Sequence, residues 1–363
     1  MKIKSLKLKN FRNYDLLKLD FDDNTNIFYG DNAQGKTNIL EAVYLSGTTK
    51  SHRGAKDKDM IQFGKDESHI EAVVEKNGIE YQLDMHLKKN NPKGIAINKI
   101  PIRKASELFG IVNLVFFSPE DLNIIKNGPS ERRRFIDLEL SQLDKVYLNN
   151  LSNYNRIVNQ RNHLLKEMGT FRQEQLMDTL DIWELQLIQY GTKIIDRRKE
   201  FIKEINKIIS SVHKKLTGKR EEIQIIYEPS NGNLTLEQAL RKNRERDLRI
   251  KSTSVGPHRD DICFMIQDLD IRRFGSQGQQ RTAALSLKLS EIELVKQAIH
   301  DTPVLLLDDV LSELDKHRQN YLLDSIHDIQ TLITCTGVED FVNHCFSINM
   351  VFHVQNGQVT NEN

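Results

Sequence analysis

The chain opens with alternation. Leu6 and Leu8 interleave with Lys7 and Lys9, and Leu17, Leu19 and Phe21 interleave with Lys18 and Asp20. This is the two-residue period of half-buried strands, and it predicts a hairpin turning over residues 10–15. Ile27-Phe28-Tyr29 is short, apolar and ends in Gly30, which predicts a buried strand. Leu40, Val43 and Tyr44 then fall at helical spacing and stop at Gly47. Ile70, Ala72 and Val74 lead into Asn77-Gly78, from which Tyr81, Leu83, Met85 and Leu87 return. Asn-Gly between alternating runs is a strong hairpin signal. Ile95, Ile97, Ile100 and Ile102 predict another hairpin about Asn98-Lys99, and residues 112–117 are apolar enough for a central strand.

The period changes near residue 130. Residues 131–218 carry no proline after Pro129, and their apolar positions are helically spaced. Leu176, Leu180, Trp183, Leu187 and Ile194 share a face, as do Phe201, Ile205, Ile208 and Val212. One helix over 132–166 is expected before them, with a turn at Gly169-Thr170. A strand over 223–227 and a capping box, Thr235-Leu236-Glu237-Gln238, follow. Strands return at 262–266, 304–307 and 331–334, around helices at 277–299 and after Leu314, with a last hairpin at Asn356-Gly357. The expected domains are 1–128 with 252–363, interrupted by an all-helical arm over 129–251.

Gly30-Asp31-Asn32-Ala33-Gln34-Gly35-Lys36-Thr37 matches G-x-x-x-x-G-K-[ST] between a predicted strand and helix. Glycines there let backbone amides turn inward on phosphate oxygens at a helix N-terminus. Lys36 suits the β- and γ-phosphates of ATP, and Thr37 a Mg²⁺ ion. Val304-Leu305-Leu306-Leu307-Asp308-Asp309 delivers Asp308 as a second metal ligand, and Asp309 to orient or activate water. Phe274-Gly275-Ser276-Gln277-Gly278-Gln279-Gln280-Arg281 resembles the signature of ABC-type ATPases, with Gln277 where glycine is usual. Ser276, Gly278 and Gln279 are its candidate nucleotide contacts, and Ser312-Glu313-Leu314-Asp315 falls in D-loop position. The fold expected is α/β, an ABC-type P-loop head with β-rich hairpins plus the helical arm. In that architecture each subunit's signature completes its partner's site, so ATP would drive a homodimer.

Composition changes little. Fifty-two basic residues meet 51 acidic ones, so any nucleic-acid surface must be local. Arg132, Arg133, Arg134, Arg156 and Arg161 form one candidate DNA surface, and Arg241, Lys242, Arg244, Arg246, Arg249 and Lys251 another. Cys263, Cys335 and Cys345 lack metal-ligand spacing and read as thiols of a reducing cytoplasm. Neither a leader nor a membrane span is expected. His258, in a Gly-Pro turn, reads as structural, or as a contact to nucleotide or partner.

With these elements in order the chain resembles the head ATPases of the SMC class and, within it, the RecF family. The supporting strings are Leu8-Lys9-Asn10-Phe11-Arg12-Asn13-Tyr14, Ser51-His52-Arg53, Phe117-Ser118-Pro119-Glu120-Asp121-Leu122 and Glu131-Arg132-Arg133-Arg134-Phe135. Val255-Gly256-Pro257-His258-Arg259-Asp260-Asp261 joins them. The resemblance implies recombinational repair of gaps and stalled forks, work with RecR and RecO, and support of SOS induction. It implies binding to single-stranded, gapped and duplex DNA, and slow, DNA-stimulated ATP hydrolysis. It also places Arg12 and Asn13 near the nucleotide phosphates. Glu120 is a positional candidate for the Q-loop, and Thr334-Cys335-Thr336 stands where transporters carry a switch histidine. A transporter's ATP-binding subunit and an SMC-like nuclease head are the rival classes.

Overall fold

The computed structural model describes residues 1–168, 174–218, 221–337 and 349–362. The expected turn at Gly169-Thr170, and Cys345, lie outside them. The chain divides into two compact units, Met1–Asp121 with Leu287–Asn363, and Leu122–Ser286. The division falls inside the helix Gln277–Ile299.

The first unit holds two six-stranded sheets. One is antiparallel and contains the predicted hairpins: Lys2–Phe11 with Tyr14–Asp20, Glu67–Lys76 with Ile79–Lys88, and Gly94–Ile97 with Ile100–Pro101. The other is mostly parallel. Its order is Gln358–Asn361, Met350–Gln355, Thr25–Tyr29, Thr331–Cys335, Val304–Asp308 and Leu114–Phe117. Leu114–Phe117 is therefore an edge strand, not the central one its composition suggested. All four of its residues are nonetheless buried.

The helix Lys36–Thr48 packs against strands of both sheets. Its Ile39, Leu40, Ala42, Val43 and Leu45 are all fully buried, which is why no clean polar face shows in the sequence. Each of the Ile, Leu and Val side chains contributes roughly 1.5–3 kcal/mol by leaving water. Gly47 does not stop this helix. A Cβ there would lie 2.6 Å from Leu114 Cδ1 and 2.8 Å from Val112 Cγ1, so the glycine serves close approach. The helix ends a residue later, with Thr49 left-handed at φ 63.

The second unit is not all-helical. Its strands Ile223–Glu228, Asp261–Ile266 and Leu269–Asp270 form an antiparallel sheet. That pairing is why residues 252–286 pack with the helices rather than with the P-loop unit. The single helix expected over 132–166 is two, Pro129–Leu143 and Lys145–Met168. Asp144 separates them, its Oδ1 accepting from the amides of Val146 (2.8 Å) and Tyr147 (2.9 Å) as an N-cap. Glu174–Leu216 then runs 43 residues.

Three arginines are spent inside this unit. Arg132 is bidentate to Asp261 (2.6 and 2.9 Å) and donates to the Asn127 carbonyl. Arg161, fully buried, donates to Asp247 (2.8 Å), Thr253 (2.9 Å) and Glu184 (2.8 Å). It ties the helices Lys145–Met168, Glu174–Leu216 and Leu236–Ile250 together. Arg198 is buried as well. Arg132 and Arg161 are thus scaffolding, which removes them from the expected DNA surface. Among the described residues no helix is long and apolar enough to cross a membrane.

Removing one partner of a buried ion pair leaves the other charge stranded, at about 3–5 kcal/mol. Arg161→Ala should cost this unit that much in urea unfolding followed by Trp183, the chain's one tryptophan, which packs beside Leu180 and Leu164. Arg241→Ala, at an exposed pair with Glu237, should leave the midpoint unmoved. Equal midpoints for both variants would show the buried cluster to be energetically idle.

Candidate functional site

In the first unit the P-loop is held by conformations that only glycine takes easily. Gly30 has φ 144 and Gly35 φ 115. A Cβ on Gly30 would sit 2.3 Å from the Val354 carbonyl oxygen, and one on Gly35 2.4 Å from Asn13 Nδ2. Ala33 is left-handed too, at φ 65. Asp31, Asn32 and Ala33 are exposed, while Gln34 and Gly35 are half-buried. Lys36 is 7% exposed and folds back over the loop, its Nζ donating to the carbonyls of Gly30 (2.5 Å) and Asp31 (2.8 Å). Burial lowers its pKa, against the pull of Asp309 and Asp308. A desolvated ammonium whose hydrogen bonds go to neutral loop carbonyls suits an incoming anion.

The acidic strand arrives where its composition predicts. Asp308 ends Val304–Asp308, all of whose residues are buried. Its Oδ1 accepts from Thr37 Oγ1 at 2.8 Å and from Thr334 Oγ1 at 2.7 Å. Burial raises its pKa, while those two hydroxyls and Arg53 hold it down. Asp309 is left-handed at φ 52, with its amide donating to Thr334 Oγ1 at 3.1 Å. Thr334, which stands where transporters carry a switch histidine, gives its hydroxyl to Asp308. Only the parallel register that sets it opposite Asp308 exposes the role.

Asn13 meets the loop directly: its Nδ2 donates to the Gln34 carbonyl at 3.0 Å, and its Oδ1 accepts from Asn38 at 2.8 Å. Arg12 points elsewhere. It is bidentate to buried Glu41 at 2.8 Å and donates to the Asp59 carbonyl at 2.7 Å. Burial would raise Glu41, but Arg12 and Ser51 hold it below its usual value. His52 stacks on Phe116 with ring centroids 4.1 Å apart, and Arg53 reaches Asn38 Oδ1 at 3.4 Å. The last hairpin also touches the loop, the Asn356 amide donating to Gln34 Oε1 at 2.6 Å. No local signal in residues 350–361 announces that contact. Glu120 is exposed.

In the second unit the signature starts the helix Gln277–Ile299 with a reciprocal cap. Ser276 Oγ accepts from the Gln279 amide at 3.2 Å, and Gln279 Oε1 accepts from the Ser276 amide at 2.9 Å. Gln279 Nε2 donates to Glu221 at 2.9 Å. Ser276, Gln277 and Gly278 are exposed, so this helix start is open to a second molecule. Back in the first unit, Ser312 Oγ donates to the Asp309 carbonyl at 2.8 Å, and Asp315 caps the helix Lys316–Ser325.

Of the remaining cations, Arg134 and Arg156 are exposed, as are Arg241, Lys242, Arg246, Arg249 and Lys251. Arg244 is bound to Asp181 and Glu184.

Residues 2–360 match the family model described as "RecF/RecN/SMC N terminal domain". The "DNA replication and repair protein RecF" of Lachnospira eligens is 61% identical over 363 residues, covering all of both chains. That of Agathobacter rectalis is 63% identical, covering 99% of each. A solved structure of the recombination mediator protein RecF with ATP, in the RecFOR pathway, superposes with TM-score 0.93 at 36% identity, covering 100% of this chain and 98% of the other. An Smc head from Pyrococcus furiosus shares the fold alone, at 15% identity and TM-score 0.57. A P-loop joined to its acidic strand, an ABC-like signature and full-length identity of this order have one reading: the chain belongs to the RecF family of DNA replication and repair proteins.

Proposed function

We propose that this chain is an ATP-dependent DNA-binding protein of recombinational repair, working in the cytoplasm, whose two copies close around two ATP molecules. One observation carries the reading: Thr37 and Asp308, 271 residues apart, share a hydrogen bond of 2.8 Å. That contact puts a hydroxyl and a carboxylate together, the pair through which Mg²⁺ is held beside phosphates supplied by the nucleotide. Gly30, Asp31, Asn32, Ala33, Gln34 and Gly35 offer backbone amides to the phosphates, and Lys36 offers its ammonium in exchange for two loop carbonyls. Asn13 fixes the loop's shape, whereas Arg12 acts through Glu41 rather than on the phosphates. The bound ion would neutralise charge on the β- and γ-phosphates.

Asp309 would orient the attacking water, and its left-handed turn is held by Thr334. Ser276, Gly278 and Gln279 are presented to the partner copy's nucleotide at a helix N-terminus. ATP then stabilises the dimer by mass action, and hydrolysis removes the phosphate that bridges it. The ATP-bound relative supports ATP as the ligand, and its pathway supports RecR and RecO as partners. Slow, DNA-stimulated turnover, binding to single-stranded, gapped and duplex DNA, and support of SOS induction complete the reading.

Sedimentation of wild type and Asp309→Asn, with and without ATP and Mg²⁺, tests it. ATP should convert monomer to dimer, and the variant should hold the dimer longer. Mass indifferent to ATP in both proteins would end the composite-site reading. Thr334→Val removes the hydroxyl that orients Asp308, and losing such an outer partner typically costs about 10–100-fold in metal affinity. The Mg²⁺ midpoint for ATP-driven dimerisation should rise by that factor. An unchanged midpoint would make Thr334 a bystander.

A further inference from the structure

Between the long helix Glu174–Leu216 and the strand Ile223–Glu228 the chain carries two adjacent carboxylates with different fates. Glu222 is exposed and pairs with Lys214. Glu221 is half-buried, and its two oxygens address two different helices. Its Oε1 accepts from Gln279 Nε2 at 2.9 Å, at the start of the helix Gln277–Ile299. Its Oε2 lies 3.5 Å from Nε2 of His213, in the last turn of the long helix. All of these residues belong to Leu122–Ser286.

His213 is fully buried. Its Nδ1 lies 2.9 Å from Ser286 Oγ, which itself donates to the Thr282 carbonyl at 2.7 Å. A hydroxyl has one proton to give, so Ser286 accepts from His213 Nδ1. Ser286 stands on the signature helix within about three turns of its start. The end of the long helix is thus joined to the signature helix at Ser286 and, through Glu221, at Gln279.

The Gln279 carboxamide is held at both ends. Its Oε1 accepts from the Ser276 amide at 2.9 Å, while its Nε2 gives to Glu221. These two bonds fix which end is oxygen and leave the group no free rotation. Ser276 Oγ in turn accepts from the Gln279 amide at 3.2 Å, so its own hydroxyl proton remains to be given outward. The exposed amides of Gln277 and Gly278 complete the helix start. Donors fixed before the charge arrives need no reorganisation when it does.

We propose that Glu221 is a positioning residue of the signature. It fixes the Gln279 carboxamide, Gln279 fixes the Ser276 backbone, and Ser276 meets the partner copy's γ-phosphate with its hydroxyl proton already aimed. His213 ties that chain of contacts to the end of the long helix. The role rests on the reading that two copies close around ATP, and it adds a residue that touches neither nucleotide nor metal.

The test is ATP-driven dimerisation of the full chain, read by sedimentation across an ATP series with Mg²⁺, with thermal melts to confirm that each variant folds. Glu221→Ala should raise the ATP midpoint about tenfold, the lower end of what a hydrogen bond to a charged group contributes. Glu222→Ala, at the neighbouring carboxylate, should leave it unmoved. A fluorescent ATP analogue, at protein concentrations too low for dimers, should bind all variants equally, because the P-loop lies in the other unit. Since Glu221 acts through Gln279, Glu221→Ala should add nothing in a Gln279→Ala background. A second arm covers an alanine variant that does not fold. Gln279→Glu alone sets two carboxylates face to face and should weaken dimerisation. Combined with Glu221→Gln it restores both bonds with donor and acceptor exchanged, and dimerisation should recover. Fully additive losses, or an exchanged pair as weak as Gln279→Glu alone, would overturn the positioning role and leave the composite site standing. So would a midpoint unmoved or lowered by Glu221→Ala, the latter marking the carboxylate as a repulsive neighbour of phosphate. Wild type whose mass ignores ATP would sink the composite-site reading and the positioning role with it.

Discussion

A carboxylate at the inner end of a buried strand is costly unless hydrogen bonds hold it ionised. Burial raises the pKa of Asp308, and two hydroxyls on one oxygen oppose that rise, Thr37 from the P-loop helix and Thr334 from the neighbouring strand. The arrangement constrains three elements at once. The helix Lys36–Thr48 is positioned against Val304–Asp308, Val304–Asp308 is held in register with Thr331–Cys335, and the Asp309 turn is pinned by the same threonine. Loosening that oxygen would move the loop, the metal ligands and the water-orienting carboxylate together.

What the sequence made legible was what depends on near neighbours. Asn77-Gly78 and Asn98-Lys99 sit in left-handed turns between the strands that alternation predicts. The P-loop string lies between its strand and its helix. Thr235 and Gln238 form the reciprocal cap their spacing announces. What failed depended on distant partners. Residues 112–117 have the composition of a central strand because they are mostly buried, yet among the described residues Leu114–Phe117 pairs along one edge. Gly47 looked like a stop because its real neighbours, Val112 and Leu114, lie far along the chain. The bond from Thr334 to Asp308 becomes visible only through strand register.

The cationic runs show the same limit in electrostatic form. A sequence displays the charge of Arg161 but not Asp247, 86 residues away, which consumes it. Of five arginines between 132 and 161, two are internal struts, one is half-buried and two are exposed. The unit uses some guanidiniums as multi-donor braces between its helices and leaves others at its surface.

The hairpin at residues 350–361 also shapes how the molecule is made. Thr25–Tyr29 lies in its sheet between Thr331–Cys335 and Met350–Gln355, and the loop after it is closed by Val354 and Asn356. During synthesis the strand that leads into the P-loop therefore waits for partners translated over 300 residues later. Pairings so remote are slow to form. A nascent chain that stops short of residue 356 lacks part of the cradle, so the nucleotide site is among the last features to mature on the ribosome.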